Sequence, residues 1–283
     1  MNVSVIIPAF NEADSIKAVL NDIKKKNYSW IKEIIVVDDG SQDNTYDLAV
    51  KSGVKVIKHH ENLGYGASLK TGIDISKEDY IFMMDADGQH RTEDINVLYN
   101  QLGDNDIVIG ARTNIMGSPL WRIPGKWLIK ILAQLLLNRK LPDPNSGLRL
   151  AKAKYLKNYK DICPDGFSFS TTITFAFHFF NHKVKYVPIE VLKRKGKSSV
   201  SIITGFKTIL LVLNLITLFH PLRIFLPTSL IMFIFSVFWG VPYFMAGKGL
   251  TMATLLLLMS SMIIFFMGLI AEQISSLRLE RLK

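Results

Sequence analysis

Two aspartates flank one alanine at Asp85, Ala86 and Asp87, and their carboxylates are the side chains of this sequence best suited to chemistry. They follow an apolar run at residues 80–84 that predicts a buried strand, so both should emerge at the carboxyl end of that strand. In open α/β sheets, ligands bind at that edge. Two neighbouring carboxylates repel unless a cation or a proton separates them, and Mg²⁺ or Mn²⁺ bridging a diphosphate suits the pair. Aspartate is also an ordinary turn residue after a strand, so the tripeptide alone leaves both interpretations open.

Apolar runs alternate with helical spacings over the first half of the chain. Predicted strands lie at residues 3–7, 34–37, 54–57 and 80–84, with predicted helices between them at residues 14–25, 43–51 and 66–75. Residues 95–102 and 107–109 continue the alternation. Repeated strand–helix units predict an α/β fold with a mostly parallel sheet covered on both faces. The polar exits of the first two strands, residues 8–12 and 38–41, should then share an edge with Asp85 and Asp87.

The C-terminal part of the chain has a composition that suits a membrane. Of the 283 residues, those from about 202 onward are dominated by Leu, Ile, Phe and Met, and residues 224–246 and 250–270 contain no charged side chain. Each stretch can span roughly 30 Å as a helix, whereas helices of soluble proteins rarely stay uncharged for so long. We therefore predict two transmembrane helices joined by a tight turn at Gly247, Lys248 and Gly249.

Basic residues are concentrated on the outer flanks of this predicted hairpin, and only Lys248 lies in its turn. They are Lys193, Arg194, Lys195, Lys197, Lys207 and Arg223 before the hairpin, and Arg278, Arg281 and Lys283 after it. The positive-inside rule then predicts an integral membrane protein with its N-terminal domain and both termini in the cytoplasm. Nucleic-acid binding would also account for the net charge of +10, but basic residues beside apolar segments suit anionic lipid better.

Three stretches at the predicted strand exits together resemble the GT-A glycosyltransferases of family 2. They are Ile-Pro-Ala-Phe-Asn-Glu at residues 7–12, Val-Asp-Asp-Gly-Ser-Gln-Asp-Asn-Thr at residues 37–45, and Asp-Ala-Asp-Gly-Gln at residues 85–89. Residues 110–112, 143–149 and 194–199, with the predicted hairpin, narrow the resemblance to the polyprenyl-phosphate glycosyltransferases, which include dolichol-phosphate mannose synthases. The resemblance covers nearly the whole chain. It implies inverting transfer of a monosaccharide from a UDP- or GDP-linked nucleotide sugar to dolichyl or undecaprenyl phosphate at the cytoplasmic membrane face.

The resemblance also divides the chain into three segments. Residues 1–198 correspond to a cytoplasmic GT-A catalytic domain with a Rossmann-like, mostly parallel sheet, and residues 223–283 to the transmembrane hairpin with a short tail. Residues 199–222 are apolar but interrupted, so we predict one or two amphipathic helices lying in the membrane interface. The single cysteine, Cys163, excludes an intramolecular disulfide and fits a reducing compartment.

On the donor side, the resemblance assigns the nucleotide sugar to residues around the strand exits. These are Pro8, Phe10, Asn11, Glu12, Val37, Asp39, Gly64, Asp85, Ala86, Lys193 and Arg194. Asp87 and Gln89 match the family's metal and diphosphate contacts, and Asp87 is counted among the catalytic residues. The implied cofactor is Mg²⁺ or Mn²⁺, which would stabilise the departing diphosphate as a Lewis acid. In this context Gly64 is expected to let the backbone come close to the nucleotide.

On the acceptor side, a polyprenyl monophosphate is already largely anionic near neutral pH, so it needs positioning more than deprotonation. Arg112 and Arg122 are the residues that we expect to bind it, because guanidinium forks suit phosphate oxygens, and both are counted as catalytic. Ser146 and Lys197 complete the predicted acceptor-phosphate site.

The sequence departs from the family pattern at two places. Lys193 stands where the family usually has arginine, and Ser199 where a lysine often follows, so the cation that contacts the diphosphate stays open within residues 193–197. Residues 167–180 lack the carboxylate that many relatives carry there, which leaves the sugar open. The aromatic run within that stretch is interpreted as packing, and His90, beside Gln89, as a solvated loop residue.

Two other classes of protein share part of these features. A processive polysaccharide synthase would share the N-terminal motifs but usually has a Gln-x-x-Arg-Trp signature and further membrane spans. A non-catalytic scaffold or flippase component could keep the hairpin, but it would have no need for Asp39, Asp85, Asp87 and Gln89 together. The oligomeric state, including a homo-oligomer, stays open.

Overall fold

The computed structural model describes residues 1–113, 141–166, 168–192 and 203–282. Four residues of the predicted site, Arg122, Lys193, Arg194 and Lys197, lie outside the described residues. The described chain divides into two compact units, one comprising residues up to 192 and one comprising residues 203–282.

The first unit is built on a mixed sheet. Its strands are β1 (Val3–Ala9), β2 (Ile31–Asp38), β3 (Lys55–Lys58), β4 (Tyr80–Met83), β5 (Ile107–Arg112), β6 (Arg149–Lys152) and β7 (Val184–Ile189). Within the described residues they are ordered β3-β2-β1-β4-β6-β5-β7. Only β6 runs antiparallel to its neighbours, β4 and β5, in this order. The prediction of a mostly parallel sheet is therefore confirmed.

Helices cover both faces of this sheet. They are α1 (Ile16–Lys26), α2 (Thr45–Lys51), α3 (Tyr65–Ile75), α4 (Thr92–Asn100), α5 (Ala153–Tyr159) and α6 (Phe169–Phe179). The apolar stripe of α1 includes Ile16 and Leu20 and packs into one buried core with Val5 and Ile7 of β1. On the other face, α3 lies so close to β1 that a side chain at Gly72 would overlap Ile6. Each fully buried aliphatic side chain of this kind contributes roughly 1.5–3 kcal/mol to folding.

The second unit consists of apolar helices α7 (Ile203–Phe219), α8 (Leu222–Met245) and α9 (Met252–Glu280). Helices α8 and α9 are long and apolar enough to cross a membrane by length and composition, with mean hydropathies of 2.1 and 2.4. They overlap most of the two predicted spans, although α8 ends one residue before residue 246 and α9 begins two residues after residue 250 and continues ten residues beyond residue 270. The predicted interfacial segment forms a single helix, α7, among the described residues.

Small side chains line the contacts that α9 makes with α8 and, at Ser275, with the Leu218 carbonyl of α7. The buried ones are Ser229, Ser236 and Gly240 on α8, and Thr254, Ser261, Gly268 and Ser275 on α9. The four on α9 recur every seventh residue, so they form one stripe that lets the helices approach closely. Large apolar side chains such as Phe238 and Met245 are exposed, at 79% and 81%. This distribution suits a hairpin surrounded by lipid.

Candidate functional site

The carboxyl ends of β1, β2 and β4 meet at one edge of the sheet, as predicted. Ala9 pairs with Asp38 and Ile6 with Met83, so the loops that follow these strands begin side by side. The first two loops are held together by side chains that satisfy backbone N–H groups. The N–H of Asn11 donates to Ser41 Oγ at 2.9 Å, and the N–H of Gln42 donates to Asn11 Oδ1 at 2.9 Å.

The residues predicted to bind the nucleotide differ in how far they are exposed. Phe10 is 43% exposed and presents an apolar ring beside the exposed Asn11, and Glu12 is partly exposed. Three further predicted contacts, Pro8, Val37 and Ala86, are buried. Their side chains are packed inside the protein, and the predicted nucleotide-sugar contacts at these three positions stay predictions.

Asp39 is buried and its carboxylate is already occupied by protein groups. Its Oδ1 accepts hydrogen bonds from His59 Nδ1 at 2.7 Å and from the Leu63 N–H at 3.0 Å, and its Oδ2 accepts from the Gly64 N–H at 2.8 Å. The other ring nitrogen of His59 lies 3.0 Å from Thr71 Oγ1. Asp39 thus holds the chain between β3 and α3 in place, and its contact with a base or ribose stays a prediction.

The glycines at the start of α3 make a close contact with another part of the protein. A side chain at Gly64 would lie 2.5 Å from the carbonyl oxygen of Asp165, and one at Gly66 would overlap the carbonyl of Pro164. The N–H of Ala67 donates to that Asp165 carbonyl at 3.0 Å. Residues 164–165 therefore come close to the backbone here, and a nucleotide contact at Gly64 stays a prediction.

The loop after β4 carries Asp87 and Gln89 and is held in a tight turn. The N–H of Gln89 donates to Asp87 Oδ1 at 3.0 Å, across Gly88, which has a left-handed φ of 69°. Gln89 is also bound to Leu192, just after β7. The Leu192 N–H donates to the Gln89 carbonyl at 2.8 Å, and Gln89 Nε2 donates to the Leu192 carbonyl at 3.3 Å. Asp87 and Gln89 are both partly exposed at the sheet edge.

The donor atoms of this loop suit a hard divalent cation. Asp87 offers a carboxylate, and Gln89 offers its Oε1 because its Nε2 is directed to Leu192. No cluster of three His, Cys, Asp or Glu side chains able to hold a metal ion occurs within the described residues. Mg²⁺ is commonly bound by one or two carboxylates together with substrate phosphates, so two protein oxygens fit an ion that arrives with a diphosphate.

Asp85, two residues before Asp87, is partly exposed, and protein groups lie beside both of its carboxylate oxygens. Tyr65 donates its hydroxyl to Asp85 Oδ1 at 2.9 Å, and His90 Nε2 lies 3.6 Å from Oδ2. A side chain at Gly147 would overlap the same carboxylate. Burial alone would raise the pKa of Asp85, but His90 and Tyr65 lower it, and the net pKa lies below the ordinary value. His90 itself is buried, so its interpretation as a solvated residue is wrong.

Arg112, at the end of β5, is paired with a buried carboxylate. Its Nε donates to Asp143 Oδ2 at 2.6 Å and its Nη2 donates to Oδ1 at 2.9 Å, and this hydrogen bonding raises the pKa of the guanidinium. A phosphate would have to bind through Nη1 or displace Asp143. Ser146 is fully buried and its Oγ accepts from the Leu148 N–H, and its contact with the acceptor phosphate stays a prediction.

Arg149 is a buried cation whose role sequence reasoning missed. It is 1% exposed and donates to the carbonyls of Pro144, Ser146 and Ser170, at 2.8, 2.6 and 2.7 Å. Burial lowers the pKa of its guanidinium. By satisfying these carbonyls, Arg149 fixes the turn that follows Asp143 and carries Gly147. The sequence offered one indication of this role: Arg149 is the last residue of the stretch 143–149, which carries part of the family resemblance.

Comparisons with known proteins agree with this geometry. The family described as "Glycosyl transferase family 2" matches residues 4–160, and the "GtrB C-terminal hairpin" matches residues 220–277. These matches identify an α/β glycosyltransferase domain followed by an apolar helical hairpin. The chain belongs to glycosyl transferase family 2, and it is a glycosyltransferase.

Two curated relatives and one solved structure illustrate the similarity. The UDP-N-acetylglucosamine–dolichyl-phosphate N-acetylglucosaminyltransferase of Methanococcus voltae is 33% identical over 179 residues, 54% of this chain and 70% of that protein. The undecaprenyl-phosphate mannosyltransferase of Micrococcus luteus is 28% identical over 216 residues, 71% of this chain and 88% of that protein. Glucosyl-3-phosphoglycerate synthase from Mycobacterium tuberculosis, in complex with Mn²⁺, UDP and its product, has a TM-score of 0.61 at 20% identity, covering 76% of this chain and 79% of that one.

Proposed function

We propose that the protein transfers a monosaccharide from a nucleotide sugar to a polyprenyl phosphate, with inversion at the anomeric carbon, at the cytoplasmic face of a membrane. One observation carries the proposal: a sheet edge with Asp87 and Gln89 occurs in the same chain as an apolar helical hairpin. The names of the relatives from Methanococcus voltae and Micrococcus luteus, which act on dolichyl and undecaprenyl phosphate, support a polyprenyl acceptor. They differ in sugar, so the sugar and the base remain to be determined by experiment.

Donor binding is assigned to the loops after β1 and β4. The exposed ring of Phe10 provides an apolar face for a nucleoside, and Asp87 and Gln89 provide oxygen ligands for a divalent cation on the diphosphate. The cation would act as a Lewis acid that stabilises the negative charge on the departing nucleoside diphosphate. Lys193 and Arg194 remain predicted donor contacts, and the hydrogen bonds between Leu192 and Gln89 bring the chain to this loop just before them.

The acceptor needs orientation rather than a general base. An oxygen of the lipid phosphate attacks the anomeric carbon, and the bond from that carbon to the diphosphate breaks with its electron pair. Because the second pKa of a phosphate monoester is about 6, the attacking oxygen is already largely deprotonated near neutral pH. Arg112, with Arg122 and Lys197, is assigned to hold this phosphate, since guanidinium groups bind phosphate oxygens in a fixed geometry.

The decisive experiment is product formation by the purified full-length chain. The chain is incubated with a polyprenyl phosphate and radiolabelled UDP-glucose, GDP-mannose or a UDP-N-acetylhexosamine, with Mg²⁺ or Mn²⁺ or with a chelator. We expect one donor to give a metal-dependent, lipid-extractable product carrying a single sugar of inverted anomeric configuration. A water-soluble polymer would instead support a polysaccharide synthase, and the absence of a lipid-linked product with every donor would refute the proposal.

A further inference from the structure

Asp85 and Asp87 lie one residue apart but differ in their surroundings. Both side chains are partly exposed, but Asp87 lies in a loop with Gln89, whereas Tyr65 and His90 lie beside the two oxygens of Asp85. Tyr65 donates to one oxygen at 2.9 Å, and His90 lies 3.6 Å from the other. Three segments distant in sequence, at Tyr65, His90 and Gly147, thus meet around a single carboxylate.

His90 has no evident structural reason to be polar. Its side chain is 4% exposed, and its Nδ1 has no hydrogen-bond partner in the part of the chain that the structure describes. Burying an imidazole with an unsatisfied nitrogen costs free energy, so an apolar side chain would stabilise the fold better at this position. The polar neighbour that its Nε2 approaches is Asp85. The position of His90 is therefore better explained by what it does to Asp85 than by packing.

Tyr65, whose hydroxyl donates to Asp85, is the first residue of α3. It stands between Gly64 and Gly66, whose contacts with residues 164–165 fix this end of the helix. Burial, followed by the charge of Asp85, raises the pKa of Tyr65 well above its usual value, so the hydroxyl stays protonated and remains a donor.

We propose that Tyr65 and His90 are positioning residues for the metal-dependent part of donor binding. Their contacts form a clamp that holds the Asp85 carboxylate away from the cation. Because Asp85 is fixed, the loop that follows it is also fixed, and in that loop Asp87 and Gln89 direct their oxygens to the cation. Without this clamp, two adjacent carboxylates would repel each other and compete for the same ion. The inference rests on the proposed function, because it requires a nucleoside diphosphate that binds together with a divalent cation.

The test measures binding rather than turnover. The affinities of the full-length protein for UDP and for GDP are determined by calorimetry in chelator and in Mn²⁺, for the wild type and for Tyr65→Phe, His90→Phe and His90→Gln. We expect Tyr65→Phe and His90→Phe to reduce the Mn²⁺-dependent gain in affinity about 10-fold, since each removes one contact to a charged group. Affinity in chelator should stay within about twofold of wild type. His90→Gln keeps an N–H near the position of Nε2 and should retain most of the gain.

A double-mutant cycle shows whether Tyr65 acts through Asp85. In an Asp85→Asn background, Tyr65→Phe should have little further effect on the Mn²⁺-dependent gain, because residues that act through one another are not additive. Full additivity of the two substitutions would overturn the inference.

A matched control separates positioning from a general loss of stability. Tyr159 also bonds its hydroxyl to a polar side chain, His182 Nε2 at 2.7 Å, but among residues not assigned to the site. Tyr159→Phe should leave both affinities unchanged. If Tyr65→Phe and His90→Phe weaken binding equally with and without Mn²⁺, or do not weaken it, the clamp is refuted while the proposed function stands. If the wild type binds neither diphosphate, the proposed function fails and the clamp fails with it.

Discussion

At the scale of single residues, the site is defined by which oxygen atoms the protein already occupies. The carboxylate of Asp39 accepts three hydrogen bonds, and that of Asp85 faces Tyr65 and His90. Asp87, although bonded to the Gln89 N–H, is partly exposed at the sheet edge. Because Asp39 and Asp85 are held by these protein groups, Asp87 is the carboxylate that we propose for the cation.

Substitution of Asp87 tests that assignment directly. Asp87→Ala should reduce turnover by roughly 100-fold or more, because a charged contact to the cation is worth up to about 3 kcal/mol. Gln89→Ala should weaken turnover less, since it removes a neutral ligand. Initial rates are measured over a range of Mn²⁺ concentrations. Full activity of Asp87→Ala, or of the wild type in chelator, would refute a metal role and leave these residues as turn formers.

The acceptor arginines should affect the lipid substrate and not the donor. Arg112→Lys keeps a charge but loses the fork that binds Asp143, and Arg122→Ala removes a guanidinium altogether. Each should raise the KM for polyprenyl phosphate by about 10-fold or more, while the KM for the nucleotide sugar stays nearly constant. Arg91→Lys, in an exposed pair with Glu190, serves as the control. A rise in the donor KM with an unchanged acceptor KM would contradict the assignment.

Sequence reasoning found the residues of this edge but not their partners. Strand exits are visible in the pattern of apolar runs, so Asp39, Asp85 and Asp87 could be placed together. Asp39 meets His59 twenty residues further along the chain, and Asp85 meets Tyr65 twenty residues earlier. The first pair forms because β2 and β3 are neighbours in the sheet, and the second forms because the fold brings α3 against the sheet. No local spacing along the chain reveals either pair.

At the scale of elements, the position of α3 depends on glycines that admit another part of the backbone. Gly66 lies against the carbonyls of Pro164 and Asp165, and the same contact fixes Tyr65 beside Asp85. The helix start is thus packed tightly on the loop that follows α5. Any side chain at Gly66 must push this loop and the helix apart.

Gly66→Ala should therefore lower the free energy of unfolding by about 1–3 kcal/mol, the usual cost of overpacking. Gly166→Ala is the matched control, because nothing lies within 4 Å of a side chain at that position and its φ is not left-handed. It should be neutral or slightly stabilising. Thermal and denaturant unfolding of the two variants in detergent give the comparison, and equal stabilities would show that the contact contributes little.

The pattern of elements was predictable only where periodicity was clear. The strands and helices up to residue 109 follow alternating apolar runs, and β1 to β5 and α1 to α4 confirm them. Helix α6 carries no readable period because residues 169–178 are all buried, and β6 is only four residues long. A helix that is buried on every side has the same sequence pattern as any other apolar run, and a four-residue strand is too short to show a clear alternation. The sequence analysis therefore predicted neither α6 nor β6, the antiparallel strand of the sheet.

At the scale of the whole molecule, the chain joins a sheet domain suited to a water-soluble donor with a hairpin suited to lipid. The hairpin is stabilised from within by small residues, and Glu272 Oε2 accepts the Leu222 N–H at 3.0 Å, which satisfies a donor at the start of α8. An enzyme that joins a nucleotide sugar to a membrane lipid needs both substrates on the same side of the bilayer. The orientation of the hairpin is therefore part of the functional proposal.

Cysteine labelling in intact cells tests this orientation. Cys163 is buried, and burial raises the pKa of its thiol, so the native protein should react little. Lys17→Cys on α1 and Arg281→Cys after α9 introduce exposed thiols on the two flanks, and Lys248→Cys introduces one in the hairpin turn. The excess of basic residues outside the turn predicts that a membrane-impermeant maleimide labels Lys248→Cys alone until the cells are opened.

Labelling of Lys17→Cys in intact cells would place the sheet domain outside and refute transfer at the cytoplasmic face. Labelling of Arg281→Cys but not Lys17→Cys would mean that the chain crosses the membrane an odd number of times, and the two-span hairpin would be wrong.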